Sequence, residues 1–183
     1  MFDGAGSYRR FLNGEESAFD EIMNELFRKL VFFIDGYVHD SYTAEDLAID
    51  VFSDLIVHKH RYNFKVSLKT YLFMIGRSRA LDYIKHRKVI DFVEINEAED
   101  FSDDERVLEQ TVLDDERKRM VNEAITKLSE DMREVVHLIY FEDMTYAEAA
   151  KVMKKTAKQV DNLLYRAKTQ LRIILGKDGE QLI

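Results

Sequence analysis

Apolar residues recur along this chain at spacings of three and four, the period of a helix that buries one face. Phe19, Ile22, Met23, Leu26, Phe27 and Leu30 form the first such stripe, and Leu47, Val51 and Leu55 form a second, opened near Thr43 and Asp46 and running to about His58. Ser67 is placed to cap a third helix from Leu68 to about Arg87; its run of Tyr71, Leu72, Phe73, Met74 and Ile75 is too apolar for a surface stripe. Val121, Ala124, Ile125 and Leu128 predict a fourth helix, and Ser129, followed by Glu130 and Asp131, opens a fifth.

Near the C-terminus the pattern is sharper. Thr145 with Glu148, and Thr156 with Gln159, are two capping boxes eleven residues apart, room for about two helical turns and a tight turn. The second of these helices places Val160, Leu164, Ala167 and Leu171 on one stripe. Lys158, Asn162, Tyr165, Arg166 and Thr169 lie opposite, with Gln159 at the border. A solvated polar face would account for a lone helix of this kind. The paired caps and the concentration of basic charge favour a helix-turn-helix whose second helix, from Thr156 onward, meets phosphates and base edges.

Composition extends the helical reading to the whole chain. At about 5% usage, 183 residues would hold roughly nine prolines, and there are none, which favours an all-α protein. Zero cysteine excludes disulfides and thiolate metal sites and fits a reducing compartment. Without an apolar leader or a long uncharged apolar run, the chain is expected to be soluble, cytoplasmic and not inserted in a membrane.

A net charge of −8 argues against a polyanion partner until its distribution is resolved. Residues 1–57 carry −8, residues 58–88 carry +8, residues 91–116 carry −11 and residues 151–172 carry +6. Two basic blocks separated by an acidic spacer suit two separate contacts with nucleic acid. The expected organisation is two small helical domains, residues 8–88 and 117–175, joined by an acidic linker over 89–116.

Within the first domain, Asp46, Asp50 and Asp54 recur at every fourth position, either as solvated charge or as a docking strip for a basic partner. Tyr62, Phe64 and Tyr71, beside the cations that follow, are suited to stacking on unpaired bases. The five histidines have no metal-ligand spacing, the glycines form no phosphate cradle, and no serine sits in a nucleophile elbow. No catalytic residue, metal or cofactor is expected.

In this order, the segments resemble the extracytoplasmic-function branch of the bacterial sigma-70 family, the promoter-specificity subunits of RNA polymerase. Ala44 to Ile56, AEDLAIDVFSDLI, is similar to the family's region 2.2. Ser67 to Lys88 is similar to regions 2.3 and 2.4, with Tyr71, Leu72, Ile75, Gly76, Arg77, Ser78, Asp82 and Lys85 in comparable places. LSEDMREVVHLIYFEDMTYAEAAKVM and the helix-turn-helix resemble region 4, through Leu128, Arg133, Tyr146, Glu148, Ala150 and Val160.

The resemblance implies a non-enzymatic factor that binds core RNA polymerase and promoter DNA and, by family habit, an anti-sigma factor. It implies polymerase binding by Asp46, Ile49, Asp50 and Asp54, where the family usually has glutamine in place of Ile49. It implies capture of the melted minus-10 element by Tyr62, Asn63, Phe64, Tyr71, Arg77, Ser78, Arg79 and Lys85. The minus-35 duplex falls to Thr156, Lys158, Gln159, Asn162, Tyr165, Arg166 and Thr169, and the acidic linker to the polymerase's RNA channel. The alternative is a stand-alone helix-turn-helix regulator, which would have no use for an acidic docking helix followed by an aromatic and basic one. Lys154 stands where the family's turn often has glycine, so a strained or reshaped turn is expected; Asp161 and Leu163 also depart from the family, with Leu163 at the edge of the core.

Overall fold

The computed structural model describes residue 2, residues 4–94 and residues 116–176. All regular structure among these residues is helical. The first module holds α1 (Ala5–Leu12), α2 (Ser17–Val38), α3 (Ser41–Val57) and α4 (Leu68–Glu94). The second holds α5 (Glu116–Thr126), α6 (Glu130–Val136), a π-helical turn (His137–Phe141), α7 (Tyr146–Met153) and α8 (Ala157–Leu175). Among the described residues, no helix is long and apolar enough to cross a membrane.

The first module is built around α2, whose Ile22, Leu26, Leu30 and Ile34 are buried against α3 and α4. Of the stripe read from the sequence, Phe19, Met23 and Phe27 are half-buried at its edge. Ala48, Val51 and Leu55 enter from α3, and Leu68, Leu72 and Phe73 from α4. The apolar run of α4 is therefore core, as its composition requires. At Gly76 α4 lies close on α2: a Cβ there would stand 2.8 Å from Leu30 Cδ1, so the end of the buried Leu30 side chain would have to shift.

Tyr8 ties α1 to the module. Its ring is fully buried, and its hydroxyl donates to the Leu55 carbonyl at 2.9 Å and the Lys59 carbonyl at 3.0 Å. Burial first, then Tyr71, pushes its pKa up to about 12, so the donor is retained at any ordinary pH.

Helix boundaries follow local hydrogen bonds more than periodicity. Ser67 caps α4 as expected, its Oγ accepting from the Thr70 amide at 3.1 Å. By contrast, α3 starts at Ser41, two residues before Thr43, because the Thr43 hydroxyl is spent on the Asp40 carboxylate. Beyond Lys88 the helix continues to Glu94, with no glycine or proline to stop it. Residues 89–94 of the expected linker thus belong to α4 and residue 116 to α5; residues 95–115 lie outside the described residues.

In the second module, α5 and α6 follow the pattern read from the sequence, with Ala124, Leu128, Met132 and Val135 buried. The π-helical turn was not legible there. It closes with the Glu142 amide donating to the His137 carbonyl at 3.1 Å, and it carries Glu142 into a buried position. The two modules are not separate bodies: α4 packs along α7, and the contact is lined by charged side chains.

Candidate nucleic-acid interface

Helices α7 and α8 make the helix-turn-helix. Both capping boxes form: Thr145 Oγ1 accepts from the Glu148 amide at 3.3 Å while Glu148 Oε2 accepts from the Thr145 amide at 2.9 Å. At α8, Thr156 Oγ1 accepts from the Gln159 amide at 3.2 Å, and Gln159 Oε1 accepts from the Thr156 amide at 2.8 Å. This consumes the acceptor of Gln159, and its NH₂ donors face outward. Glu148 is held below the ordinary carboxylate range: burial raises it, but the Thr145 amide and neighbouring hydroxyls outweigh that effect.

The turn between the helices keeps its left-handed shape without glycine. Lys154 has φ 54° and ψ 42°, and the Lys155 amide reaches back to the Ala150 carbonyl at 2.9 Å. A left-handed lysine costs about 1 kcal/mol. Lys154→Gly is therefore expected to raise stability by roughly 0.5–1 kcal/mol, read as a higher midpoint in urea; an unchanged or lower midpoint would show that the strain is absent.

Val160, Leu164, Ala167 and Leu171 of α8 are all buried, and Leu163 is half-buried at their margin. Lys158, Gln159, Asn162, Tyr165, Arg166 and Thr169 are exposed, Tyr165 at 72%. The Thr169 hydroxyl donates to the Tyr165 carbonyl at 2.9 Å, leaving it as an acceptor toward solvent. Asp161 is exposed beside them.

The residues expected at a minus-10 strand lie around the connector between α3 and α4 and on α4 itself. Tyr62 differs from the reading of an accessible ring: it is 3% exposed, with its hydroxyl satisfied by the Val66 carbonyl at 2.6 Å. It packs among Tyr8, Phe64 and Tyr71, at 5.6, 4.6 and 5.1 Å between centroids. Phe64 and Tyr71 are half-buried, and the Arg9 guanidinium lies 4.7 Å above the Phe64 ring. Phe64 itself is held at φ 61°, an uncommon conformation for an aromatic residue. Asn63 is exposed and turns the chain by accepting from the Lys65 amide at 3.1 Å.

Farther along α4, Ser78 is half-buried and Lys85 is exposed. Arg79 is paired with Asp54 and lies 3.5 Å from Asp50, so α3 and α4 are linked through the acidic row. That row is consequently divided. Asp46, Ile49 and Asp50 are exposed, whereas Asp54 is half-buried against Arg79.

Arg77 points to the other module. Its Nε donates to Glu134 Oε1 at 2.7 Å and its guanidinium to Glu134 Oε2 at 3.3 Å, a two-point contact with both side chains largely buried. Burial pushes Glu134 above the usual carboxylate range despite the pull of Arg77. Burial is also the largest influence on Tyr37, which lies beside this pair and is driven far above the ordinary tyrosine range.

About two turns toward the start of α4, Lys69 Nζ approaches Glu142 Oε2 at 2.7 Å and donates to the Glu142 carbonyl at 2.5 Å. Glu142 is lowered: burial raises it, but His137 and Lys69 prevail. Lys69, Glu134, His137 and Glu142 were not read from the sequence as site residues. Their partners lie 57 and 73 residues away, and no spacing rule connects them.

Two family models match this chain. "Sigma-70 region 2" covers residues 22–89 and "Sigma-70, region 4" covers residues 118–171, so the two modules are matched separately and in order. The ECF RNA polymerase sigma factor SigM of Bacillus subtilis is 25% identical over 162 residues, spanning 85% of this chain and 91% of its own. RNA polymerase sigma factor YlaC of the same organism is 24% identical over 168 residues, spanning 89% and 90%. In fold, the chain is similar to the sigma factor RpoE of Bartonella quintana, solved in complex with the anti-sigma factor NepR. The TM-score is 0.69 at 19% identity, over 87% of this chain and 98% of that one. With both regions matched across a helical pair of modules, the chain belongs to the sigma-70 family of RNA polymerase sigma factors, in its extracytoplasmic-function branch.

Proposed function

We propose that this sigma factor binds core RNA polymerase through α3, captures the melted minus-10 element with α4 and its preceding connector, and reads the minus-35 element as duplex with α8. The observation that carries the reading is the outer face of α8: Lys158, Gln159, Asn162, Tyr165 and Arg166 project together from the second helix of a doubly capped helix-turn-helix. Arg and Lys fix such a helix on phosphates, while amide donors can read base edges. Thr156 and Thr169 flank this face.

For strand capture, Asn63, Phe64, Tyr71, Ser78, Arg79 and Lys85 form the accessible set, and Tyr62 supports Phe64 and Tyr71 from below. An unpaired base gains stacking on half-buried rings once it has left the helix. Arg77 lies on the other side of α4 from Arg79 and is engaged with Glu134 of the second module. Asp46, Ile49 and Asp50 form the polymerase-docking strip, and Asp54 holds Arg79 behind it. An anti-sigma factor is a fitting regulator, by analogy with the NepR-bound relative.

Charge reversal tests the docking strip. Asp46→Lys with Asp50→Lys is expected to weaken binding to core polymerase about tenfold or more, and with a steeper loss as salt is lowered, because like charges are then brought together. Unchanged affinity in a fluorescence titration against core polymerase would remove α3 from the interface.

A further inference from the structure

We propose that Arg9 of α1 is a strand-binding residue of the minus-10 site: before capture its guanidinium covers one face of Phe64, and on capture it yields that face to an unpaired base and takes a phosphate of the same strand. The proposal rests on the reading of α4 and its connector as the strand-capture surface.

The region 2 match begins at residue 22, so α1 lies outside it. The helix is nevertheless built into the connector that carries Phe64. At its start, Gly4 has φ 75° and sits against the head of α4, where a Cβ would stand 3.0 Å from Leu68 Cδ2. One turn on, the Tyr8 hydroxyl holds the Leu55 and Lys59 carbonyls, where α3 gives way to the connector. These two anchors fix the rotation of α1 and set Arg9, the residue after Tyr8, over Phe64. Arg9 is exposed, and its guanidinium carbon lies 4.7 Å from the centroid of that ring. Its neighbour Arg10 is paired with Glu15 and Glu21, whereas Arg9 has no carboxylate partner among the described residues. Nor does the connector offer one, since residues 55–81 contain no acid.

Phe64 is shaped for an exchange of partners. Its left-handed backbone, φ 61°, holds the ring half-buried with Tyr62 behind it at 4.6 Å, and strain of this kind gathers at ligand clamps. Tyr71, Ser78 and Lys85 recur at every seventh residue along one face of α4, and Tyr71 joins the cluster through Tyr62 at 5.1 Å. A strand laid along that face from Lys85 toward Tyr71 is therefore led to Phe64 and Arg9. A cation–π contact at an exposed site is weaker than base–aromatic stacking, so a base can take the ring from the guanidinium. The displaced guanidinium stays on a fixed helix beside the ring, within a side chain's reach of the backbone that carries the stacked base. Its planar fork matches a phosphate, and no carboxylate has to be given up to reach one.

The test is a titration of holoenzyme, assembled from the full chain and core polymerase, with a fluorescent single-stranded DNA of randomised sequence across a salt series; core polymerase alone gives the baseline. Arg9→Met keeps an apolar contact with the Phe64 ring but no charge. It should bind about tenfold more weakly at low salt and flatten the dependence of log K on log salt by about 0.7, the value for one single-strand phosphate contact. Arg9→Lys should restore that slope. Phe64→Ala should weaken binding roughly tenfold at the parental slope, because a stacked base releases no counterion. Arg10→Met makes the same change in net charge at a cation already paired with Glu15 and Glu21, and should keep the parental slope. Parental affinity in Arg9→Met, a loss of affinity at unchanged slope, or an equal flattening in Arg10→Met would overturn the role of Arg9; with Phe64→Ala and Lys85→Met still weakened, strand capture would stand. Parental binding in those two variants as well, or no binding above the core baseline by any form, would overturn the strand-capture reading and the proposal with it.

Discussion

Replacing Phe73 with alanine is expected to destabilise the protein by roughly 3–5 kcal/mol, the usual cost of emptying a fully buried phenylalanine site. Its ring has no solvent exposure and lies 4.9 Å from that of Phe33, with Leu72 buried beside it on α4. The ring is packed between α4 and α2, and close-packed neighbours relax only partly into such a hole. Against a typical total of about 5–15 kcal/mol, the loss is large enough to leave a substantial unfolded fraction at physiological temperature. Urea unfolding followed by helical circular dichroism should show a much lower midpoint with an unchanged slope. A shift corresponding to less than about 1 kcal/mol would mean that Phe73 is not part of a packed core.

Glu142→Ala is the second large effect, and it should read differently. Removing one partner of a buried ion pair costs about 3–5 kcal/mol, because the surviving charge is left in a low-dielectric site. Lys69 would keep its hydrogen bond to the carbonyl of residue 142 but lose the carboxylate. The module core around α2 does not contain this pair, so the chain has a cheaper response than unfolding: the second module can detach and return Lys69 to water. We expect loss of inter-module protection in amide hydrogen exchange along the start of α4, with α2 still protected at close to the parental level. Lys69→Met combined with Glu142→Leu should restore much of the contact, since an apolar pair of similar size needs no countercharge. If the single and double variants behave alike, the pair is not what holds the modules.

The contrast between these two variants tracks what can be read from sequence. The stripe Val160, Leu164, Ala167 and Leu171 is buried as its spacing requires, and both capping boxes form, because each is decided within one or two helical turns. The left-handed Lys154 was legible for the same reason, as a position in a turn of fixed length. Tyr62 was not: an aromatic residue in a basic connector suggests exposure, whereas its ring is covered by Tyr8, 54 residues away in the chain, and its hydroxyl is satisfied by the Val66 carbonyl. Nor was the π-helical turn, which places Glu142 where an uninterrupted α-helix would not. The Arg77 and Lys69 pairs are long-range, and their acids, Glu134 and Glu142, are two of many in a strongly acidic chain. What sequence could supply was two modules and their candidate faces; how those faces meet depends on contacts across the fold.

The most direct test of the account is transcription itself. Purified chain is added to core RNA polymerase of the same organism on fragmented genomic DNA, and the 5′ ends of the transcripts are sequenced. The account predicts a discrete set of start sites that appear only with the chain, share two upstream sequence elements at a fixed separation, and lose the farther one's influence in Arg166→Ala. No chain-dependent start sites and no polymerase complex, together with tight binding of duplex by the chain alone, would contradict it and identify a stand-alone helix-turn-helix regulator.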